Sequence, residues 1–308
     1  MLRCRLNVWF IIKYAKIMEG RFSMARNNST LIKPFVKWVG GKRQLLDEIC
    51  KYMPDDGYST YYEPFLGGGA VFLNEQPKKA IVNDGNEELI NTYKVIQNNV
   101  EELIEKLKIH KEKNNENYFY EVREWDRDPE YAKLSDVEKA SRLIYLNKTC
   151  FNGLYRVNSS GFFNSPYGRY KDPNIVNEHG LRALSTYFNS ADIKFLTGDF
   201  EDAVRYIRSG DFIYFDPPYA PLSPTSNYTG YTSGGFDEDD QIRLRDLCNK
   251  LHLRGVKFLL SNSNVPFIQK LYDNPDYKIE IVGAKRAINA DGKKRGEVEE
   301  VLIRNYNI

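Results

Sequence analysis

The sequence is poor in the residue types that build metal sites and disulfide frameworks. Its 308 residues include three histidines, His110, His179 and His252, and none of them has the spacing of metal ligands; we expect each to be a surface or helix residue. The four cysteines are scattered without a C-x-x-C pair, so neither a zinc site nor a disulfide framework is expected. We therefore predict a protein of the reducing cytoplasm that uses no metal.

Strong net charge, internal repeats and low-complexity tracts are also missing. The formal net charge is +2, so a surface that binds anions must come from local clustering of basic residues. The phosphate-cradling pattern G-x-x-x-x-G-K-[ST] does not occur. With 42% hydrophobic residues, the chain can bury a core of one large domain or two smaller ones.

The first 23 residues differ from the rest of the sequence. They combine basic residues with a short apolar patch, which Lys13 and Lys16 interrupt and which is too short to span a bilayer. A small-residue cleavage site of the usual kind is missing, and the stretch from Met24 reads like an ordinary start. We expect residues 1–23 to be an extension or a start-site artefact; a weak signal or membrane-surface segment is the alternative.

Predicted strands and helices alternate in two parts of the chain. The first part includes the strands of "TYYEPFLGGGAVF" and "AIVND", and the second begins at "DIKFLTGDF". Such alternation predicts an α/β fold whose mostly parallel sheet is covered on both faces. The segment 87–176 does not alternate and reads as a mainly helical insertion. We therefore assign 24–86 and 177–308 to one α/β domain and 87–176 to an inserted domain.

The stretch "EPFLGGGAVF" follows the first predicted strand, at the edge where parallel sheets bind ligands. Gly67, Gly68 and Gly69 would let the backbone approach a ligand closely and turn into a helix. Asp84 lies at the end of the next strand, where an acidic side chain can accept both hydroxyls of a ribose. A plain tight turn and a helix cap are the alternatives, because "DGNEELI" opens a helix.

A second candidate stretch, "KPFVKWVGGKRQLL", precedes the first strand. It places Lys37, Trp38, Gly40, Gly41 and Lys42 close together. Two lysines, a tryptophan and paired glycines can form a rim over an anionic or zwitterionic ligand. The alternative is a basic turn before a helix.

The stretch "FIYFDPPYAP" puts Asp216, Pro217, Pro218 and Tyr219 directly after a buried strand. An exocyclic purine amine is a poor nucleophile, because its lone pair is delocalised into the ring. A carboxylate and a backbone carbonyl that accept its two N–H groups favour the pyramidal, reactive form. Proline removes competing backbone donors and stiffens the turn, and Tyr219 can stack on a base that has left the duplex. A rigid turn with a capping aspartate is the alternative.

Residues 139–171 combine basic and aromatic residues and contain no acidic residue. This composition suits phosphate contact, base stacking and groove entry, and a solvated loop with some core aromatics is the alternative. The basic residues are Lys139, Arg142, Lys148, Arg156, Arg169 and Lys171. The aromatic residues are Tyr145, Phe151, Tyr155, Phe162, Phe163, Tyr167 and Tyr170.

These stretches, in this order, resemble the DNA adenine-N6 methyltransferases of the Dam type, or D12 class. The likeness is greatest to the GATC-modifying enzymes of DpnII-type restriction–modification systems, and it covers nearly everything from Pro34 onwards. It implies the class I methyltransferase fold, S-adenosylmethionine (AdoMet) as methyl donor, an inserted target-recognition domain and double-stranded DNA as substrate. A cognate restriction endonuclease is one functional partner that the resemblance suggests, and a solitary or phage-encoded enzyme is the alternative. The matching strings are "PFVKWVGGKRQLL", "YYEPFLGGGAVF", "NDGNEELIN", "FNGLYRVNSSGFFNSPYGRYK", "GDFEDAV" and "YFDPPYAPLSPTS".

The resemblance also implies roles for individual residues. Asp216, Pro217, Pro218 and Tyr219 would hold the target adenine. Phe151 stands where some relatives have tyrosine, which permits stacking but removes a hydroxyl contact. The implied cofactor contacts are Trp38, Lys42, Phe65, Gly67, Gly69, Asp84, Asp199, Phe200 and Asp216. The implied DNA contacts are Lys37, Phe151, Asn152, Leu154, Arg156, Pro166 and Arg169.

Two other functions compete with this interpretation. An RNA or protein-glutamine methyltransferase uses a related motif, but such enzymes usually carry asparagine at the position of Asp216, and the basic segment would be unexplained. A DNA-binding regulator that has lost catalysis would be expected to carry damage in the glycine loop or in "DPPY", and both are intact.

Overall fold

The structure is a computed structural model that describes residues 32–222, 235–285 and 297–308. The predicted extension at residues 1–23 lies outside these ranges. In the described parts of the chain, none of the helices has both the length and the apolar character that crossing a membrane requires.

A seven-stranded sheet forms the centre of the fold, in the order β3-β2-β1-β4-β5-β7-β6. The first five strands are parallel, and β7 runs antiparallel to both of its neighbours. The mostly parallel α/β sheet predicted from the sequence is therefore confirmed, and β6 and β7 form an antiparallel pair at one end of it. The strands are β1 Tyr61–Glu63, β2 Lys79–Asp84, β3 Asp192–Thr197, β4 Phe212–Phe215, β5 Lys257–Ser263, β6 Lys278–Lys285 and β7 Glu297–Arg304.

Helices surround the sheet, and short 3-10 turns lie at Lys42–Gln44, Trp125–Arg127, Pro129–Lys133 and Phe151–Gly153. The α-helices of the described ranges are α1 Leu46–Lys51, α2 Ala70–Glu75, α3 Glu87–Asn98, α4 Val100–Lys113, α5 Glu116–Glu124, α6 Asp136–Thr149, α7 Glu178–Ser190, α8 Phe200–Ala203, α9 Glu238–Leu253 and α10 Pro266–Leu271.

Strand β4 shows why the sheet is buried on both faces. Successive side chains of a strand point to opposite faces, so Phe212 and Tyr214 enter one apolar core while Ile213 and Phe215 enter the other. All four are buried. A continuous apolar run is what a central parallel strand requires.

Helix α6 leads from the helical segment into an irregular one. A capping box marks its start: Ser135 Oγ accepts the Glu138 N–H, and the Glu138 carboxylate accepts the Ser135 N–H. Beyond α6 the backbone forms a loose hairpin at 150–167 with isolated bridges between residues 150 and 167 and between 157 and 163. Because α3 packs against both β3 and α6, the division at residue 87 stays a prediction.

His110 was expected to be a surface or helix residue. It lies in helix α4, and it is buried. Its Nδ1 accepts the Tyr118 hydroxyl at 2.9 Å, and its Nε2 lies 3.3 Å from Ser141 Oγ. Since Ser141 donates its own proton to the Glu138 carbonyl, His110 Nε2 carries the hydrogen of that contact. Burial lowers the pKa of His110 to about 4, and Lys113 and Lys106 act in the same direction.

The neutral His110 makes folding stability depend on pH. The unfolded chain binds a proton at His110 near the ordinary pKa of 6.5, whereas the folded chain does so only near 4. The contribution of neutral His110 to the free energy of unfolding is therefore fully present above about pH 6.5, and it decreases as the pH falls towards 4. We expect a loss of about 2 kcal/mol between pH 7 and pH 5 from this group.

Urea unfolding of the wild type and of His110→Gln at both pH values measures this contribution. The glutamine variant should lose less stability on acidification, although it is less stable at pH 7. His179→Gln, at an exposed position, is the control and should follow the wild type. Equal acid sensitivity of all three proteins would contradict the assignment.

Candidate active site and DNA interface

The candidate residues of the α/β domain meet at one edge of the sheet. Gly67 lies in the loop after β1, Asp84 ends β2, Asp199 follows β3 and Asp216 follows β4. The carboxyl ends of parallel strands share an edge, and here β1 and β4 are neighbours in its middle. Four segments distant in sequence therefore form one site.

A buried asparagine that the sequence reasoning missed joins three of these loops. Asn83 Nδ2 donates to the carbonyls of Pro64 and Gly198, each at 3.0 Å. Its backbone carbonyl accepts the Leu66 N–H at 2.8 Å. The available signal was a polar residue inside the apolar strand "AIVND", beside the more conspicuous Asp84.

The glycine loop requires glycine for conformation and for space. Gly67 and Gly69 have φ angles of 50° and 66°, in the left-handed region. A Cβ atom would lie 3.0 Å from Trp38 Cδ1 at Gly67 and 2.7 Å from the Tyr93 hydroxyl at Gly69. Glycine is thus required at both positions by the backbone conformation and by close packing against Trp38 and Tyr93. We call the loop at residues 67–69 the glycine cradle.

Asp84 fastens this cradle to the start of α3. One carboxylate oxygen accepts the Gly67 N–H at 2.8 Å, and the other accepts the Asn86 N–H at 2.8 Å. Asn86, which accepts the Leu89 N–H, is the N-cap of the helix. Each Asp84 oxygen keeps a second lone pair, so its local bonds are compatible with accepting ribose hydroxyls. Burial raises the pKa of Asp84.

Asp216 lies in a compact polar cluster. Lys42 Nζ is 2.7 Å from Asp216 Oδ1 and 4.4 Å from the centre of the Tyr219 ring, and it donates to the Gly40 carbonyl at 2.7 Å. Ser261 Oγ donates to the same Asp216 oxygen at 2.9 Å. Burial raises the pKa of Asp216 above its ordinary value, while Lys42 and Ser261 each act to lower it.

Side chains of neighbouring elements fix the "DPPY" turn. Gln241 of α9 donates to the Pro218 carbonyl at 2.8 Å. Asn262 of β5 accepts the Ala220 N–H at 3.1 Å. The Tyr219 hydroxyl donates to Glu300 of β7 at 2.6 Å, which sets the direction of the ring. Sequence reasoning missed these supports and Ser261; the signal was the polar run "SNS" at the end of a buried strand.

The pair Asp199 and Phe200 also reaches this edge. Phe200 is buried beside Phe65, with ring centres 5.2 Å apart. Both carboxylate oxygens of Asp199 accept hydrogen bonds from Arg243 at 3.0 Å. The two predicted cofactor residues Phe65 and Phe200 are thus in contact, and Arg243 is a further residue that the sequence reasoning missed.

The predicted DNA-reading residues lie on the hairpin at 150–167 and just beyond it. Phe151 is 56% exposed although it is apolar, and its N–H donates to the Pro166 carbonyl at 2.8 Å. Arg156 is exposed, and its Nε donates to Asn164 Oδ1 at 2.7 Å. Asn152 and Pro166 are also exposed, and Leu154 is half-buried.

Two further predicted DNA contacts stand at the margins of the hairpin. Arg169 is 77% exposed, has a left-handed φ of 52° and pairs with Glu116 at 3.0 Å. Lys37 packs against Gly153, where a Cβ atom would lie 2.6 Å from Lys37 Cδ. The structure therefore brings Lys37, which precedes the first strand, to the hairpin.

Comparison with protein families gives a direct result. Residues 38–288 match the model of the D12 class N6 adenine-specific DNA methyltransferases. The chain belongs to this family. It is therefore an adenine-specific DNA methyltransferase, and the family implies DNA as substrate and AdoMet as methyl donor.

Relatives of the D12 class are similar over nearly the whole chain. A "Type II methyltransferase M1.LlaDCHI" of Lactococcus lactis subsp. cremoris is 46% identical over 92% of this chain and 99% of its own length. A "Type II methyltransferase M.MjaIII" of Methanocaldococcus jannaschii is 44% identical over 89% of this chain and 99% of its own length. A "DNA adenine methylase" of Escherichia coli (strain K12) is 32% identical over 88% of this chain and 94% of its own length.

The prediction for the basic and aromatic segment 139–171 of this D12 methyltransferase is wrong for several of its residues. Arg142 was counted among residues suited to phosphate contact, but it is 1% exposed, lies 2.8 Å from Asp126 and donates to the Arg123 carbonyl. Tyr145, Tyr155 and Phe163 belong to the apolar core. The physical reason is that α6 is buried on all sides between Ala140 and Asn147, and the carboxylate that balances Arg142 comes from outside the segment.

Lys148, in the same D12 segment, is also less available than expected. It is only partly exposed, and burial lowers its pKa to about 8, with Lys37 and Arg43 contributing repulsion. Lys171 is exposed. Lys171 is therefore better placed for phosphate contact than Lys148.

The Lys42–Asp216 contact predicts how the Asp216 carboxyl, in the candidate active site, titrates in this D12 methyltransferase. An opposite charge at contact distance lowers a carboxyl pKa by about one to three pH units. Lys42→Met should therefore raise the pKa of Asp216 further, by about that amount. Carbon-13 NMR titration of the aspartate carboxyls, with Asp216→Asn to assign the signal, measures it.

The matched control is Lys51→Met, which removes a lysine that is 60% exposed on the surface. It should leave the titration of Asp216 unchanged. An Asp216 signal that titrates alike in the wild type and in Lys42→Met would show that the ion pair does not exist in solution.

Proposed function

We propose that this enzyme methylates N6 of adenine within GATC in duplex DNA, after the target base has left the double helix. The observation that supports it most directly is the arrangement of Asp216, Pro217 and Tyr219 at the carboxyl end of β4. A carboxylate, a backbone carbonyl and an aromatic ring together match the amine and the flat face of adenine.

The proposed chemistry depends on the ionised form of Asp216. A carboxylate accepts an N–H of the adenine amine, whereas a protonated carboxyl competes as a donor. Lys42 and Ser261 favour the carboxylate against the effect of burial. The Pro217 carbonyl accepts the second N–H. Most of the rate then comes from positioning of the amine rather than from strong base catalysis.

The residues around the glycine cradle would hold AdoMet, which supplies an electrophilic methyl group when bound. Asp84 would accept hydrogen bonds from the ribose hydroxyls of AdoMet, and Phe65 and Phe200 would line the pocket for its adenine ring. Trp38 and Lys42 would contact the cofactor from the segment before β1.

The position of Asp216 supports the proposal of base flipping. The Asp216 side chain is 18% exposed and lies beside Lys42 and Tyr219 at the sheet edge. An adenine stacked inside a duplex cannot bring N6 into such a site, so the nucleotide must rotate out. The Tyr219 ring, held by Glu300, is available to stack on the extruded base.

The proposed GATC specificity rests on the resemblance to GATC-modifying enzymes and on the exposed hairpin. Arginine and lysine suit guanine because its major-groove edge offers two acceptors, O6 and N7. Arg156 would read one guanine, and Lys37, beside Gly153, would read the other. Leu154 would pack on the thymine methyl group, and Phe151 would stack.

A functional pairing with a restriction endonuclease belongs to the same proposal. It is supported by the relatives that are named Type II methyltransferases. A solitary DNA adenine methylase is the alternative, because relatives with that name are also similar. An endonuclease gene beside this one whose product cuts unmethylated but not methylated sites would support the pairing.

The catalytic assignment predicts a selective loss of activity. Asp216→Ala should reduce radiolabelled methyl transfer to a GATC duplex by more than about 100-fold, because the amine loses its acceptor. DNA binding, measured by fluorescence anisotropy, should largely survive. Asp202→Ala, at a side chain that is 77% exposed, is the control and should retain normal transfer.

Parallel assays with single-stranded DNA, RNA and protein test the substrate. Label in RNA or protein but not in DNA would exclude the proposal. Near-normal turnover by Asp216→Ala would instead contradict the role assigned to Asp216, and the assignment of DNA as the substrate would stand.

The specificity assignment predicts a difference between Arg156 and Lys171. Arg156→Ala should relax discrimination at a guanine-bearing base pair by about 1–3 kcal/mol. Lys171→Ala should weaken binding to all sequences alike and reduce the salt dependence, because a phosphate contact carries no sequence information. Methylation kinetics on GATC and its single-base variants separates the two effects.

The same kinetics decides between the remaining outcomes. A uniform loss across all sites in Arg156→Ala would make Arg156 a backbone contact. Wild-type preference for another sequence would overturn the GATC assignment.

A further inference from the structure

The hairpin at 150–167 is attached to the Lys37–Trp38 segment by a single buried amide. Asn147, in the last turn of α6, is 1% exposed. Its Oδ1 accepts the Lys37 N–H at 2.9 Å, and its Nδ2 donates to the carbonyls of Lys37 at 2.8 Å and Gly153 at 3.1 Å. One side chain thus fixes the backbone of Lys37 to the backbone of the hairpin.

A second attachment is a stack between two rings. Trp38 and Tyr155 lie with ring centres 4.9 Å apart and an angle of 25° between their planes. Trp38 also meets the glycine cradle, where a Cβ atom at Gly67 would lie 3.0 Å from Cδ1 of the indole. The indole therefore contacts both the hairpin and the loop proposed to hold AdoMet.

The Tyr155 hydroxyl makes a separate contact. It donates to Glu88 at 3.0 Å, and Glu88 belongs to the first turn of α3, close to Asp84. The Tyr131 hydroxyl bonds the other Glu88 oxygen at 2.5 Å. The ring of Tyr155 and its hydroxyl thus serve different neighbours, and substitution can separate them.

Both attached segments are irregular. Residues 36–41 lie outside regular helices and strands, and the hairpin has only isolated bridges among its described residues. Few backbone hydrogen bonds cross the hairpin, such as that from the Phe151 N–H to the Pro166 carbonyl, so side-chain contacts contribute much of what sets the conformations of the two segments. A ligand that orders the indole therefore removes part of the ordering cost at the hairpin, and the reverse holds equally.

We propose that Tyr155 is a positioning residue whose stack on Trp38 couples DNA binding at the hairpin to cofactor binding at the glycine cradle. This inference rests on the proposed function. Tyr155 touches neither the base nor the cofactor; it acts through Trp38. Each ligand then tightens the binding of the other by the same factor, as linkage requires.

The test uses sinefungin, an analogue of AdoMet that has no transferable methyl group. Calorimetry gives its dissociation constant with and without a saturating duplex that the enzyme methylates. For the wild type we expect the duplex to tighten sinefungin binding at least about five-fold. A duplex without the target site should have a smaller effect.

Two variants of one residue form the matched pair. Tyr155→Phe keeps the ring and loses the hydroxyl bond to Glu88, so the coupling ratio should stay near that of the wild type. Tyr155→Leu removes the ring, so the ratio should fall below about two-fold. A purely structural role of Tyr155 would change both single affinities but leave the ratio unchanged.

A measurement on the wild type alone keeps the test independent of folding of the variants. Sinefungin without DNA should increase hydrogen-exchange protection of the hairpin amides, including Gly153. No change in protection at 150–167 would overturn the inference, as would a wild-type coupling ratio near one or an undiminished ratio in Tyr155→Leu.

Methyl transfer by the same wild-type preparation distinguishes this inference from the proposed function. Absence of transfer to any DNA would contradict the function itself. Transfer that proceeds normally while the two affinities are independent would contradict only the coupling through Tyr155.

Discussion

The contact between the Lys42 ammonium and the Asp216 carboxylate is the interaction on which the active site depends. It joins the segment before β1 to the turn after β4 at 2.7 Å, within a largely buried site. Desolvation of two charges is costly, and leaving one of them alone is worse by about 3–5 kcal/mol. The ion pair therefore holds the segment before β1 against the "DPPY" turn, and removing either charge weakens this local attachment.

Much of the fold follows from local patterns, because buried strands and their turns are visible in short stretches of sequence. "FIYF" is apolar at every position because a central parallel strand is covered on both faces. The three glycines of the loop indicate a close approach of the backbone to its neighbours. The capping box at Ser135 and Glu138 likewise fixes the start of α6. Strand order, in contrast, depends on pairings between distant residues.

What the sequence reasoning missed consists of partners that lie far apart along the chain. Asn83 and Ser261 are unremarkable in isolation, and their meaning lies in carbonyls and carboxylates that other strands deliver. Arg142 was misjudged for the same reason: Asp126, which balances its charge, lies outside the basic segment. The residue composition of a segment gives its charges, but it does not show which residues are neighbours in space.

The antiparallel strand β7 has a consequence for the way the enzyme is made. Synthesis proceeds along the chain, yet β7 enters the sheet between β5 and β6, and it carries Glu300, which holds Tyr219. A ribosome adds roughly 5–20 residues per second, so "DPPY" exists for seconds before its supporting carboxylate is synthesised. The nascent chain therefore carries the glycine loop and the "DPPY" turn before Glu300 exists, and the hydrogen bond that directs the Tyr219 ring forms only after β7 has been synthesised.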